Sequence, residues 1–202
     1  MIEKVREIFR READAINSIP VTKKFETAIG IIHRQVHEKS GKLVTSGMGK
    51  AGQIAHNIAT TFSSTGTPSI FLHPSEAQHG DLGILQENDV LLAISNSGKT
   101  REIIELIDLK NNLYPQIPVI VITGNADSPL AQKADCFILT GAPDEVCTLG
   151  LTPTTSTTIM TVIGDALVVL LMGKIGFSAK DYAKRHHGGY LGMKSREISG
   201  KE

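Results

Sequence analysis

Residues 89–124 read DVLLAISNSGKTREIIELIDLKNNLYPQIPVIVITG. Two apolar, β-branched runs, 89–95 and 119–124, enclose a stretch from 102 to 113 whose apolar residues recur at helical spacing. Each run is delivered into Ser, Thr or Gly, which is how a buried parallel strand reads when a helix crosses over to the next strand. The same kind of run recurs at 43–47 (LVTSG), 69–73 (SIFLH) and 135–140 (DCFILT), with helical patterns at 53–62 and 129–134 between them. The alternation predicts an α/β, doubly wound, three-layer sandwich built on a five-stranded parallel sheet.

Working outward, Ile2, Val5, Ile8, Phe9 and Ile16 recur at helical spacing, and Phe25, Ile29, Ile32 and Val36 do so again. An N-terminal helical pair is expected, divided at Pro20 and closed at Gly41. Beyond the last strand, residues 151–177 predict one long buried helix with Thr152 as N-cap and Pro153 at the first helical position. The tail, KRHHGGYLGMKSREISGKE (184–202), is basic and weakly periodic, so a short helix at 178–184 followed by a loop and an exposed end is expected. One domain is expected over 1–202: helices at 1–39, sheet core and long helix at 40–175, C-terminal helix and tail at 176–202.

Composition narrows the function. The 202 residues are 41% hydrophobic and 21% charged, with 21 basic and 21 acidic side chains and a formal net charge of zero. Nothing in that balance attracts a nucleic-acid backbone, and 4% aromatics without Trp leave little surface for base stacking. The opening MIEKVREIFRREAD is charged throughout, unlike a signal peptide, so a cytoplasmic protein is expected. The longest apolar run, Ala166 to Met172, falls far short of the ~20 residues that span a bilayer, so no membrane partner is expected. Cys136 and Cys147 are expected to be reduced and structural.

In an open parallel sheet, ligands bind beyond the carboxyl ends of the strands. Three loops fall there: SGMGKAG (46–52), HPSEAQHGDLG (73–83) and SNSGKTRE (95–102). SNSGKT offers hydroxyls at Ser95, Ser97 and Thr100, amides freed by Gly98, and the positive end of a helix beginning near Thr100, which together describe a phosphate cradle. Ser46 and Gly47 end the first strand and are candidates for the same phosphate. The GxxxxGK spacing of a Walker A loop is absent, and glycines at 47, 49 and 52 do not make a dinucleotide fingerprint, so no nucleotide cofactor is indicated. Lys50, His79 and Glu102 also fall near these strand ends, where each by itself reads as a surface lysine, a loop histidine and an acid complementing a helix dipole.

Taken together, SGMGKAG, TFSSTGTPSIFLHPSEAQHGDLG, AISNSGKTREI, EVCTLGLTPTTSTT with MTVIGDAL, and RHHGGYLG resemble the sugar isomerase (SIS) domain of bacterial D-arabinose 5-phosphate isomerases. The match runs in order from about residue 40 to residue 194. The resemblance implies the SIS fold and the interconversion of D-ribulose 5-phosphate with D-arabinose 5-phosphate, which supplies the sugar acid Kdo for lipopolysaccharide. It implies five active-site positions, Lys50, His79, Glu102, Glu145 and His186, and a phosphate loop at Ser95, Ser97 and Thr100. It further implies a homotetramer in which some site residues come from a neighbouring subunit. The family's HPGG motif reads HHGG here, with His187 in the proline's place. The pair of CBS domains that often follows in the family does not follow Glu202, so a difference in regulation is expected.

Proton-transfer isomerisation needs a base reaching two adjacent carbons, donors at the developing oxyanion and an anchor on the phosphate; no cofactor is required. SNSGKT anchors, Lys50 stabilises the oxyanion, and His186 or Glu145 is favoured over Glu102 as proton carrier. His79 and His186 are candidates for an inhibitory zinc ion, although no compact ligand signature such as HExxH is present. Two alternatives stand beside this reading. One is an isomerase of another ketose phosphate such as a hexulose 6-phosphate; the other is a non-catalytic module that senses a sugar phosphate or a nucleotide-sugar effector such as CMP-Kdo.

Overall fold

A computed structural model describes residues 1–200. Five short strands form one sheet: β1 (Leu43–Gly47), β2 (Ser69–Phe71), β3 (Val90–Ile94), β4 (Val119–Thr123) and β5 (Cys136–Leu139). All four neighbouring pairs are parallel and the spatial order is β2-β1-β3-β4-β5. The chain therefore winds one way from β1 to β2 and the other way from β3 onward, which puts the topological switch point between β1 and β3.

Each strand in the centre is buried end to end, so its residues serve two cores in alternation. Val90, Leu92, Ile94, Ile120, Ile122 and Ile138 pack on one side, and Leu91, Ala93, Val119 and Val121 on the other. The first side is covered by α2 (Lys24–Ile32), α3 (Gly49–Ser64) and α7 (Thr155–Lys174), the second by α5 (Arg101–Leu113) and α6 (Pro129–Gln132). The expected doubly wound sandwich is what the chain adopts.

The N-terminal pair also forms, as α1 (Ile2–Asn17) and α2, the latter running on through a π-helical stretch at His33–Glu38. Only α2 is a core helix. No residue of α1 is buried, and Ile2 and Phe9 are about 70% exposed. Ile2, Val5, Ile8 and Phe9 of α1 face outward in this protomer, while Ala15 packs against the core.

Two expectations need correction. The long helix begins at Thr155 with Thr154 as its cap, so Thr152 and Pro153 lie ahead of it. Ahead of them a turn closed by the Gly150 amide donating to the Cys147 carbonyl folds residues 147–152 back on themselves, with the Cys147 sulfur accepting the Leu151 and Thr152 amides. The expected short helix of the tail forms as α8 (Ala179–Arg185), but a further helix, α9 (Gly189–Ser199), follows it in place of a loop, and the last two residues, 201–202, lie outside the described residues. The periodicity of α9 is weak because it buries only Gly192 and Ser195 and packs chiefly on α8. Two shorter turns, α4 (Pro74–Ala77) and a 3₁₀ turn at Asp81–Ile84, also lie in what read as one loop. The opening of α3 at Gly49, four residues earlier than its apolar pattern, brings Lys50 into its first turn.

Both cysteines are free; burial pushes the Cys136 thiol up in pKa, which suits an inert core residue. By length and composition α7 could cross a membrane, but Ile159, Ile163, Leu167 and Leu171 along it are buried in the core.

The joint between β1 and α3 is tight enough to reverse an ordinary rule. A Cβ on Gly52 would stand 2.6 Å from the Gly47 carbonyl oxygen, and one on Gly47 would stand 2.7 Å from that of Ala51. Replacing a helical glycine by alanine normally stabilises by about 1 kcal/mol. Here the backbone must move apart, and Gly52→Ala is expected to destabilise by about 1–3 kcal/mol in equilibrium urea unfolding.

Candidate active site

At the switch point the strand ends open into a cavity of about 710 Å³. Its wall is built by the starts of three helices: Met48, Lys50 and Ala51 from α3, Ser95 to Ser97 and Thr100 leading into α5, and Glu145 to Ser156 leading into α7. Ile94 and Met160 supply the apolar floor.

The SNSGKT loop is shaped by its own hydroxyls. Ser95 and Thr100 share a 2.8 Å hydrogen bond between their Oγ atoms, and the Gly98 amide donates to the Ser95 hydroxyl at 3.2 Å. Gly98 has φ +64°, and a Cβ there would collide with the Ser128 side chain at 2.1 Å, so only glycine lets the loop lie against the β4–α6 connection. Thr100 occupies the N-cap of α5 without donating or accepting a side-chain capping bond. The first amides of α5 are thus left without a side-chain partner at the cavity, the arrangement that binds a phosphate or carboxylate. α3 likewise starts from Met48 with no capping side chain.

The third helix start is already filled. Glu145 Oε2 accepts from the Thr154 amide at 2.7 Å, the Thr154 hydroxyl at 2.9 Å and the Ser156 amide at 3.3 Å. Partial burial pushes the Glu145 pKa up, but the hydrogen bonds from Ser156 and Thr154 outweigh it and hold the carboxyl below its ordinary range. The carboxylate is ionised at neutral pH, and Oε1 takes no hydrogen bond among the described residues. Lys50, exposed on the first turn of α3, forms no ion pair among the described residues.

The sequence candidates divide accordingly. Lys50, Ser95, Ser97, Thr100 and Glu145 line one cavity. Ser46 does not: its hydroxyl is buried and donates to the Leu72 carbonyl at 2.7 Å, tying β1 to the end of β2. Gly47 serves the joint with α3, and Gly98 the loop turn. Glu102 lies half-buried on the first turn of α5, and His79 is exposed ahead of the 3₁₀ turn; neither lines the cavity of its own protomer.

His186 closes α8, well apart in the chain. Its ring stacks on Tyr182 with centroids 3.7 Å apart and 7° between planes, and Nδ1 donates to the Tyr182 carbonyl at 3.0 Å. A ring that donates from Nδ1 keeps its lone pair on Nε2, the atom that would handle a proton. His187 is exposed beside it. Among the described residues no group of three or more His, Cys, Asp or Glu side chains could hold a metal ion.

Sequence reading missed Asn96, Thr154, Ser156 and Thr157, all of which line or build the cavity. A local signal existed for Thr154 and Ser156, since TPTTSTT ahead of an apolar run is a helix start. Nothing local tells which acid fills that start.

A doubly wound sheet with a polar cavity at its switch point, between two helix N-termini without side-chain caps, places the chain among the open α/β domains whose ligand sites lie at the strand ends. The chain belongs to the SIS domain family, which matches residues 37–170. It is 51% identical over 154 residues to the arabinose 5-phosphate isomerase KdsD of Shigella flexneri, an alignment covering 76% of this chain and 46% of the relative. The chain thus spans about half the length of the curated relatives it matches. Among solved structures, a candidate phosphosugar isomerase involved in capsule formation from Bacteroides fragilis NCTC 9343 superposes with a TM-score of 0.93 at 67% identity, covering 94% of this chain and 99% of that one. An Escherichia coli CFT073 protein in complex with arabinose 5-phosphate superposes with a TM-score of 0.85 at 34% identity, covering 92% and 96%.

Because the Glu145 pKa is lowered by folding, its bonds contribute stability above the unfolded carboxylate pKa and lose it as pH falls through the folded value. The stability gap between the wild type and Glu145→Gln is therefore expected to be widest near neutral pH and to narrow under acid, as read by urea unfolding at a series of pH values.

Proposed function

We propose that the chain is an aldose–ketose isomerase that interconverts D-ribulose 5-phosphate and D-arabinose 5-phosphate through an enediolate. The observation that carries this reading is the cavity itself, where an ammonium, a hydroxyl-lined open helix start and an ionised carboxylate face one space. The KdsD relative and the Escherichia coli complex support the choice of sugar.

The SNSGKT loop and the amides of α5 hold the phosphate and so fix the register of the carbon chain. Lys50 faces the oxygen on which charge develops as the carbon-bound proton leaves. Glu145, held ionised by three hydrogen bonds, is a weak base and serves to bind sugar hydroxyls through Oε1. The proton carrier is His186: Nε2 takes the proton from carbon 2 of the aldose and returns it to carbon 1 of the ketose. Glu102 orients Lys50 or a loop hydroxyl, and His79 completes the polar set. Proton transfer of this kind needs no cofactor.

His186 stands outside the cavity of its own protomer, so this mechanism requires assembly, and we place the chain in a homotetramer. The exposed stripe of α1 and the exposed Leu191, Met193 and Ile198 on α9 are the surfaces available for it. The two free cysteines suit a cytoplasmic enzyme. Its product would supply the sugar acid Kdo for lipopolysaccharide.

Incubation with arabinose 5-phosphate in heavy water is expected to place deuterium at carbon 1 of the ketose, and His186→Ala to lose label and turnover together. Binding by calorimetry without isomer or label would favour the sensing alternative, and faster turnover of a hexulose 6-phosphate would change the substrate. Ser97→Ala is expected to raise KM about tenfold with a smaller change in kcat, because an anchor binds ground and transition states alike.

A further inference from the structure

No residue of helix α1 is fully buried, yet two consecutive side chains on it grip a single peptide unit at the cavity. The exposed Arg11 Nη2 donates to the carbonyl oxygen of Glu145 at 3.2 Å. Glu12 Oε1 accepts from the Thr155 hydroxyl at 2.9 Å, and the same hydroxyl accepts from the Val146 amide at 3.2 Å. An amide can only donate, so the Thr155 oxygen receives Val146 with a lone pair and its one proton goes to Glu12. Both polar groups of the Glu145–Val146 peptide, C=O and N–H, are thereby held from α1, one directly and one through Thr155.

Thr155 is almost fully buried, so these bonds are shielded from exchange with water. Glu12 is a costly residue at this place: its Oε2 is buried without a partner. A contact that only joined α1 to α7 would be better made by an apolar pair. What Glu12 does instead is fix the direction of one hydroxyl, and that hydroxyl fixes the backbone from which the Glu145 side chain departs.

We propose that Glu12 and Arg11, acting through Thr155, are positioning residues that set where the Glu145 carboxylate stands in the cavity. The proposal rests on the isomerase reading for its kinetic test, and on geometry alone for its structural one. Reorienting the 145–146 peptide moves the carboxylate relative to the sugar, and a misplacement of about 1 Å can lower rate by about 100-fold.

The test uses the full chain, with Thr155→Val removing both bonds at nearly equal volume, Thr155→Ser restoring them, and Glu12→Ala acting from the surface helix. Expected for Thr155→Val is a fall in kcat/KM of about 10- to 100-fold, recovery in Thr155→Ser, and a smaller fall in Glu12→Ala. In a Glu145→Gln background Thr155→Val is expected to change kcat/KM no further, since the residue acts through Glu145. Hydrogen exchange followed by mass spectrometry over 143–150 is expected to quicken in Thr155→Val and Glu12→Ala. Unchanged exchange in both variants overturns the proposal, as does a Thr155 effect that multiplies with that of Glu145→Gln. A wild type with no isomerase activity overturns the proposed function instead, and leaves the exchange measurement to decide the clamp.

Discussion

The site depends on how closely the first helix can start behind the first strand. Gly47 and Gly52 meet backbone to backbone, and any side chain at either would be driven into a carbonyl. That contact brings the first turn of α3 up to the sheet edge, so Lys50 and the open amides stand at the switch point instead of a turn further off. Because β1 lies between β2 and β3 in the sheet, a displacement there would pass to both neighbours. The packing on either face transmits such a shift readily, since close-packed cores do not absorb it.

A chain with no net charge can still concentrate positive potential at one place by using its backbone. Three helices begin around one cavity, each with a partial positive charge at its start. One is neutralised by Glu145 and two are left open, so the local field favours a dianionic group held between α3 and α5. Lys50 adds a full charge to that field. Asp144 and Glu145 line the same cavity, while other acids are used structurally, as in the buried Asp89, which takes Lys42 Nζ at 2.7 Å and ties the start of β1 to that of β3.

How far the sequence could be read depended on whether the signal was local. Strands at 90–94 and 119–123 were legible because two-sided burial leaves apolar runs, and the one at 43–47 because Leu43 and Val44 lead into Thr, Ser and Gly at a strand end. Helix α9 was not legible, since a helix packed mainly on one partner buries too few residues to show a period. Ser46 was misread because a hydroxyl at a strand end can face the ligand or the neighbouring strand, and only the fold decides between them. The grip of Arg11 and Glu12 on residues more than 130 positions away has no local trace at all.

The C-terminal hairpin has a thermal consequence. The strands that present Lys50 and the phosphate loop are buried on both faces, and they open only when the whole protein unfolds. The hairpin of α8 and α9 has only Gly192 and Ser195 buried, with Gly192 passing so near the His186 carbonyl that a Cβ would meet it at 2.2 Å. Such an element frays at far lower free energy than the sheet. On heating an isolated protomer, the His186 imidazole would be released from its place while the cavity at the strand ends stayed intact, so the two parts of the protein would melt one after the other.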